Sequence, residues 1–166
     1  LSSAPPRRIV HFPFTSLEPN PGVVGLSGHR SFVVADIPGI IEGAHQGKGL
    51  GLRFLQHVER TRVLACLVPL ESADTQAVYQ RLRHEVRQYS PALAEKPHIV
   101  LLTKRDLLPA GEAVPELDAP EAAGILTVSS AAGTGLEELK EYLWKFVEAA
   151  KAEEAPVEAW QEEGEE

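Results

Sequence analysis

Three short segments carry residue types that could do chemistry together: Asp36-Ile-Pro-Gly39, Thr103-Lys-Arg-Asp106 and Ser129-Ser-Ala131. A carboxylate at Asp36 can hold a Mg²⁺-bound water beside a terminal phosphate. Gly39, with no Cβ, lets a backbone N–H approach that phosphate. Asp106 can accept hydrogen bonds from the N1–H and exocyclic amine of guanine. Adenine lacks that donor pair, and a buried carboxylate left unpaired penalises the wrong base. The Lys104 stem can lie along a purine ring, and the backbone near Ser130 and Ala131 can reach the guanine O6.

The elements around these segments predict how they are positioned. Val23-Val24 and Ser31–Asp36 read as two strands around a turn at Gly25–His29. Residues 40–51 hold Gly43, Gly47, Gly49 and Gly51 and read as a loop, and Leu52–Thr61 has helical spacing. Val63–Leu70 is a continuous apolar run, expected to be a strand covered on both faces. Asp74–Tyr89 reads as a helix with Ala77, Val78, Leu82, Val86 and Tyr89 inward. Pro91 and Pro97 frame a loop before a strand at His98–Thr103. Residues 109–123 read as linker, Gly124–Ser129 as a last strand, and Leu136–Ala150 as a closing helix. Apolar strands alternating with amphipathic helices imply an α/β domain with a mainly parallel sheet. In such sheets ligands sit beyond the carboxyl ends of the strands, where all three segments fall.

Composition narrows the class. The chain has 166 residues, net charge −8 and one cysteine. After Ala152 there are seven carboxylates and no Lys or Arg, so the body is near neutral. Direct DNA binding through a broad basic face is not expected. No apolar run is long enough to span a bilayer. A lone Cys66 permits no disulfide framework, which fits a reducing cytoplasm, and its apolar surroundings mark a core residue. The six histidines (His11, His29, His45, His57, His84, His98) show no ligand spacing and are expected in solvated or capping roles. Trp144 is expected in the core and Trp160 in solvent.

The ordered set Asp-x-x-Gly, [Asn/Thr]-Lys-x-Asp and Ser-Ala, each on a strand end, is that of a guanine-nucleotide-binding domain. Longer stretches make the resemblance more specific. Phe12-Pro-Phe-Thr-Ser-Leu-Glu-Pro-Asn20, Gly22-Val-Val24, Ala35–Leu55 and His57–Val63 closely resemble the Obg/CgtA GTPases, and the likeness covers roughly residues 8–148. It implies a three-layer Ras-like P-loop NTPase G domain over residues 1–150, followed by an acidic, disordered tail at 151–166. It implies GTP and GDP as ligands, with Mg²⁺. Phe14, Thr15, Ser16, Leu17 and Glu18 match the switch I stretch, with Ser16 as a Mg²⁺ ligand and Asp36 holding the ion through water. Asp36, Ile37, Pro38 and Gly39 match the phosphate-sensing segment. Thr103, Lys104, Arg105 and Asp106 match the guanine-reading segment, with Thr in place of Asn. Ser129, Ser130 and Ala131 match the last guanine loop. It further implies GTP hydrolysis, a switch in ribosome assembly or stress, a large-ribosomal-subunit partner and a cytoplasmic monomer.

The sequence departs from the family pattern in two places. No Gly-x-x-x-x-Gly-Lys-[Ser/Thr] occurs in these residues. Gly43–Gly49 is one residue short of that spacing and puts Gly49 where the metal-binding hydroxyl belongs. The chain is therefore expected to be cut ahead of switch I, lacking the first strand and the P-loop, with two unpaired strand edges left inside the fold. On that expectation the 166 residues alone bind GTP weakly or not at all. The alternative reading is a non-enzymatic interaction module. The second departure is Ile40, which stands where many GTPases place a water-orienting Gln, so no catalytic residue is assigned.

Overall fold

A computed structural model describes residues 21–36, 60–109 and 111–154. The first described element is a hairpin of β1 (Pro21–Gly25) and β2 (Ser31–Ala35), paired antiparallel with Val24 opposite Phe32. Its reversal uses two consecutive left-handed residues, Gly28 at φ 72° and His29 at φ 60°. Glycine adopts that region without strain, and His is tolerated there singly.

The main body is a parallel sheet in the order β3-β4-β5, with β3 at Leu64–Pro69, β4 at His98–Thr103 and β5 at Gly124–Thr127. Helix α1 (Thr75–Tyr89) joins β3 to β4. Asp74 caps its start, accepting from the Ala77 N–H at 2.9 Å. Ser90, in extended backbone, ends it and caps the one-turn helix α2 (Pro91–Ala94) by accepting from the Leu93 N–H at 3.2 Å. An Asp or Ser oxygen at an N-cap satisfies an amide that the helix leaves unpaired. The loop between the two prolines thus contains a helical turn. Helix α3 (Leu136–Glu154) closes the described chain and runs four residues past the expected end at Ala150.

β4 explains the layering. Its residues alternate between the two faces, and Ile99, Val100, Leu101 and Leu102 are all buried. Val100 and Leu102 join Cys66, Val68, Leu70 and Tyr79 under α1. Ile99 and Leu101 join Leu126 under Leu139, Leu143 and Phe146 of α3. Each fully buried aliphatic side chain contributes about 1.5–3 kcal/mol.

The outer strands are covered on one face only. Leu64, Cys66 and Val68 of β3 are buried under α1, but Leu67 on the opposite face is 55% exposed. The expectation of a strand covered on both faces therefore fails for β3. Helix α3 packs on Ile99 and Leu101 of β4 and Leu126 of β5. The inward face of α1 is also shifted from the expected one: Thr75, Tyr79, Arg83 and Val86 are buried, whereas Ala77 is exposed. Spacings of four, four and three place those residues in one stripe.

Among the described residues, no strand pairing joins the hairpin to the three-stranded sheet. A side-chain cluster links the two instead. Arg30 in the hairpin turn donates to both carboxylate oxygens of Glu141 on α3, at 2.6 and 2.9 Å. Its guanidinium also lies 5.6 Å from the Trp144 ring centroid, and Lys151 lies 4.9 Å from the same ring. Trp144 is half-buried between cations rather than in the core, an arrangement its ring quadrupole favours. Segment 111–123 is irregular, but Val114, Leu117, Ala119 and Ala122 pack on the α1 side of the core. Gln76 fastens it by two hydrogen bonds with the Asp118 backbone, at 2.8 and 2.9 Å. The expected helix at Leu52–Thr61 falls largely outside the described residues, as do the loop at 40–51, Trp160 and the tail beyond Glu154.

Candidate functional site: the carboxyl ends of β4 and β5

The register of the parallel strands brings two of the three sequence segments together. β4 ends at Thr103 and β5 runs beside it with Leu102 opposite Thr127. The ladder continues beyond the strands, with the Val128 N–H donating to Leu102 O at 2.8 Å and the Arg105 N–H to Val128 O at 3.2 Å. Lys104 sits between these bonds in the left-handed region, at φ 62° and ψ 40°. That conformation turns the chain sharply into a single 3₁₀ turn, Arg105–Leu107, which carries Asp106. A non-glycine residue held at positive φ costs about 1–3 kcal/mol and persists only where its surroundings fix it.

Asp106 is exposed, yet anchored. Ser129 Oγ donates to Asp106 Oδ1 at 2.5 Å and accepts from the Ala132 N–H at 3.0 Å. Ser129 is 1% exposed, and its hydroxyl is engaged by these two neighbours. It positions the carboxylate and shapes the following turn. Ser130 and Ala131 are exposed at the tip of that turn. An ionised carboxylate offers about four lone-pair sites, so one bond from Ser129 leaves capacity for two donors on one edge of a base.

The turn closes on glycine. Ser129 bridges Thr134, and Gly133 and Gly135 both have φ of 73°. A Cβ at Gly135 would stand 2.4 Å from Thr127 O, closer than any real Cβ contact. Only glycine fits at the point where the loop passes back over β5 before entering α3.

Lys104 has a partner that sequence reasoning missed. The Leu70 N–H donates to Thr103 O at 3.0 Å, which sets Glu71 beside Lys104, and the two side chains form an ion pair. Both are about half exposed, so the pair orients the ammonium more than it stabilises the fold. Glu71 carries no motif; only the pairing of β3 with β4 reveals it. Gly133 and Gly135 did carry a signal, as two glycines one residue apart just after Ser-Ala.

Asp36 follows β2 directly and is exposed. A carboxylate there is a hard oxygen donor of the kind Mg²⁺ takes, directly or through water. Phe14, Thr15, Ser16, Leu17, Glu18, Ile37, Pro38 and Gly39 lie outside the described residues. Of the sequence-nominated site, the structure therefore brings together Thr103, Lys104, Arg105, Asp106, Ser129, Ser130 and Ala131.

Two other readings from sequence change. His98, expected in solvent or at a cap, is 2% exposed and hydrogen-bonds Tyr79 Oη through Nε2 at 2.8 Å. Burial holds its pKa below the usual histidine value, with Arg83 adding to the effect. Cys66 is a core residue as expected, and burial pushes its thiol pKa up.

An α/β layer with a carboxylate, a lysine and a Ser-Ala turn at adjacent strand ends defines the chain as a G domain. Comparison with known proteins agrees. Residues 2–104 match the family described as 50S ribosome-binding GTPase. A GTPase Obg of Chloroherpeton thalassium is 48% identical over 157 residues, covering 95% of this chain and 46% of that protein. One of Chlorobium phaeovibrioides is 48% identical over 158 residues, with the same two coverages. One of Parabacteroides distasonis is 46% identical over 157 residues, covering 93% of this chain and 40% of the relative. The chain belongs to this GTPase family and is an Obg-type G domain. It spans somewhat less than half the length of the curated relatives it matches.

Proposed function

We propose that this chain supplies the guanine-reading part of a GTP-binding domain, and that the protein it serves hydrolyses GTP to GDP. The observation that carries this reading is the Asp106 carboxylate, held by the Ser129 hydroxyl where the ends of β4 and β5 converge. The guanine N1–H and amine would donate to Asp106. The stem of Lys104 would flank the ring, and backbone N–H groups at Ser130 and Ala131 would meet O6. Thr103 and Arg105 complete the segment, and Ser129 acts on the ligand through Asp106.

The phosphate side rests on residues read from sequence: Phe14 to Glu18 and Asp36 to Gly39. Ser16 and Asp36 would hold Mg²⁺, Asp36 through a water. The ion would neutralise charge on the terminal phosphates. Ordering of these two segments by the terminal phosphate would make the domain a switch. The family description, 50S ribosome-binding GTPase, supports a partner on the large ribosomal subunit.

A base-exchange experiment tests the central assignment. Asp106→Asn replaces two acceptors with one acceptor and one donor. Xanthine offers the complement, an N1–H donor and an O2 acceptor. The substitution should therefore weaken guanine nucleotide binding at least about tenfold and improve xanthine nucleotide binding by a similar factor, as expected when donors and acceptors across a base edge are mispaired. Fluorescence titration of both nucleotides against both proteins reads this directly. Unchanged preference for guanine in Asp106→Asn would remove Asp106 from the base site.

A further inference from the structure

At the opposite end of the sheet from Asp106, the structure holds a cationic hollow that the nucleotide site does not use. Arg83 on α1 is 5% exposed, and among the described residues its buried Nε and Nη1 have no hydrogen-bond partner. Its Nη2 donates to Ala94 O at 3.0 Å, with Glu121 Oε2 at 3.8 Å. Arg87, one turn further along α1, donates to the same Glu121 oxygen at 3.2 Å. Two guanidiniums therefore share one carboxylate.

The space beside them is already shaped. Tyr79, Gln80, Arg83, Arg87, Pro120 and Glu121 line a hollow of about 180 Å³. Its floor is fixed from two sides: Tyr79 is hydrogen-bonded to His98 at the start of β4, and Arg83 to α2. Glu121 forms the wall on the irregular segment and is 63% exposed, free to swing outward. A buried cation short of counter-charge is unfavourable, and an anion entering beside it relieves that deficit. Planar guanidinium forks match the oxygens of phosphate in particular.

We propose that this hollow is a second ligand site, one that takes a phosphate group between Arg83 and Arg87 with Glu121 displaced. It is independent of the guanine-reading assignment, since it lies where β4 begins rather than where it ends. Phosphate, as the free ion or a monoester, fits better than a carboxylate because it carries more charge and more acceptor oxygens for two separate guanidiniums.

The test uses the ¹⁵N-labelled 166-residue chain, with inorganic phosphate, glycerol phosphate, acetate and ionic-strength-matched sodium chloride titrated in turn. The Arg83 and Arg87 Nε–H resonances and the amides of 117–122 should shift saturably with phosphate, half-saturating on the order of 1 mM. Arg87→Ala, at an exposed position that should leave the fold intact, should weaken binding about fivefold, and Glu121→Gln should tighten it by about the same factor. A response to glycerol phosphate as strong as to inorganic phosphate would identify a monoester as the ligand class. Response to the free ion alone would identify inorganic phosphate. A linear shift equal to that with chloride, acetate binding as tight as phosphate, or saturation indifferent to both substitutions would overturn the proposal.

Discussion

The hairpin β1–β2 and the sheet β3–β5 are built from similar residues but differ in what covers them. β4 lies between two other strands and under two helices, and Ile99 and Val100 are fully buried. In the hairpin, Val23 is 77% exposed and Val33 63%, and Phe32 is its one buried large side chain. A valine is thus core or surface according to the layers laid over its strand. The hairpin depends on Arg30 and its contacts with Glu141 and Trp144, whereas the sheet depends on apolar burial. That difference predicts how each region responds to substitution.

The largest contrast is between Ile99→Ala and Val33→Ala. Ile99→Ala leaves a cavity beneath α3 and should cost about 2–5 kcal/mol by urea denaturation. Val33→Ala removes exposed surface and should stay within about 0.5 kcal/mol. Equal losses would mean that the hairpin is as well covered as the sheet.

Next in size is Gly135→Ala, in the loop that follows β5. Its methyl group would meet Thr127 O at 2.4 Å, in backbone that also disfavours a side chain. A cost of about 1–3 kcal/mol is expected, together with movement of Ser129 and hence of Asp106. Amide shifts at 129–134 check the second effect.

Tyr79→Phe should cost about 1–3 kcal/mol, because it leaves the buried His98 Nε2 without its partner. His98 also sets a pH dependence. Its pKa is lowered in the folded state from the ordinary 6.5, chiefly by burial, so the unfolded chain binds the proton more readily. Stability from this group is complete above pH 6.5 and is lost as pH falls from there toward the folded-state value. Thermal denaturation across pH 5 to 8 should show that slope, and His98→Asn should flatten it.

A local effect is expected from Arg30→Ala. Hydrogen exchange should speed at the hairpin amides while those of β4 keep their protection. Equal acceleration in both regions would mean that the Arg30 cluster supports the whole domain rather than tethering one part.

Much of this was legible in the sequence because the responsible interactions are local or periodic. Both strands of the hairpin, α1, β4 and the strand ends carrying Asp106 and Ser129 follow from apolar pattern and turn residues. What escaped depends on which element covers which face. Leu67 sits in an unbroken apolar run, yet it lies 55% exposed on the face of β3 away from α1. His98 opens a strand and looks polar, but Tyr79 supplies a buried partner from a helix nineteen residues earlier. Glu71 meets Lys104 only through strand register. The burial of Ser129 and its bond to Asp106 likewise follow from the meeting of two strand ends.

The measurement that bears most directly on the central claim is titration of the labelled 166-residue chain with guanosine and, in parallel, adenosine. These ligands carry no phosphate, so they probe the base site alone. Guanosine should shift the amides of Lys104–Asp106 and Ser129–Ala131, adenosine should bind at least about tenfold more weakly, and Asp106→Ala should erase the difference. Identical responses to the two nucleosides at those residues would contradict the assignment of Asp106 and the Ser129 turn as a guanine reader.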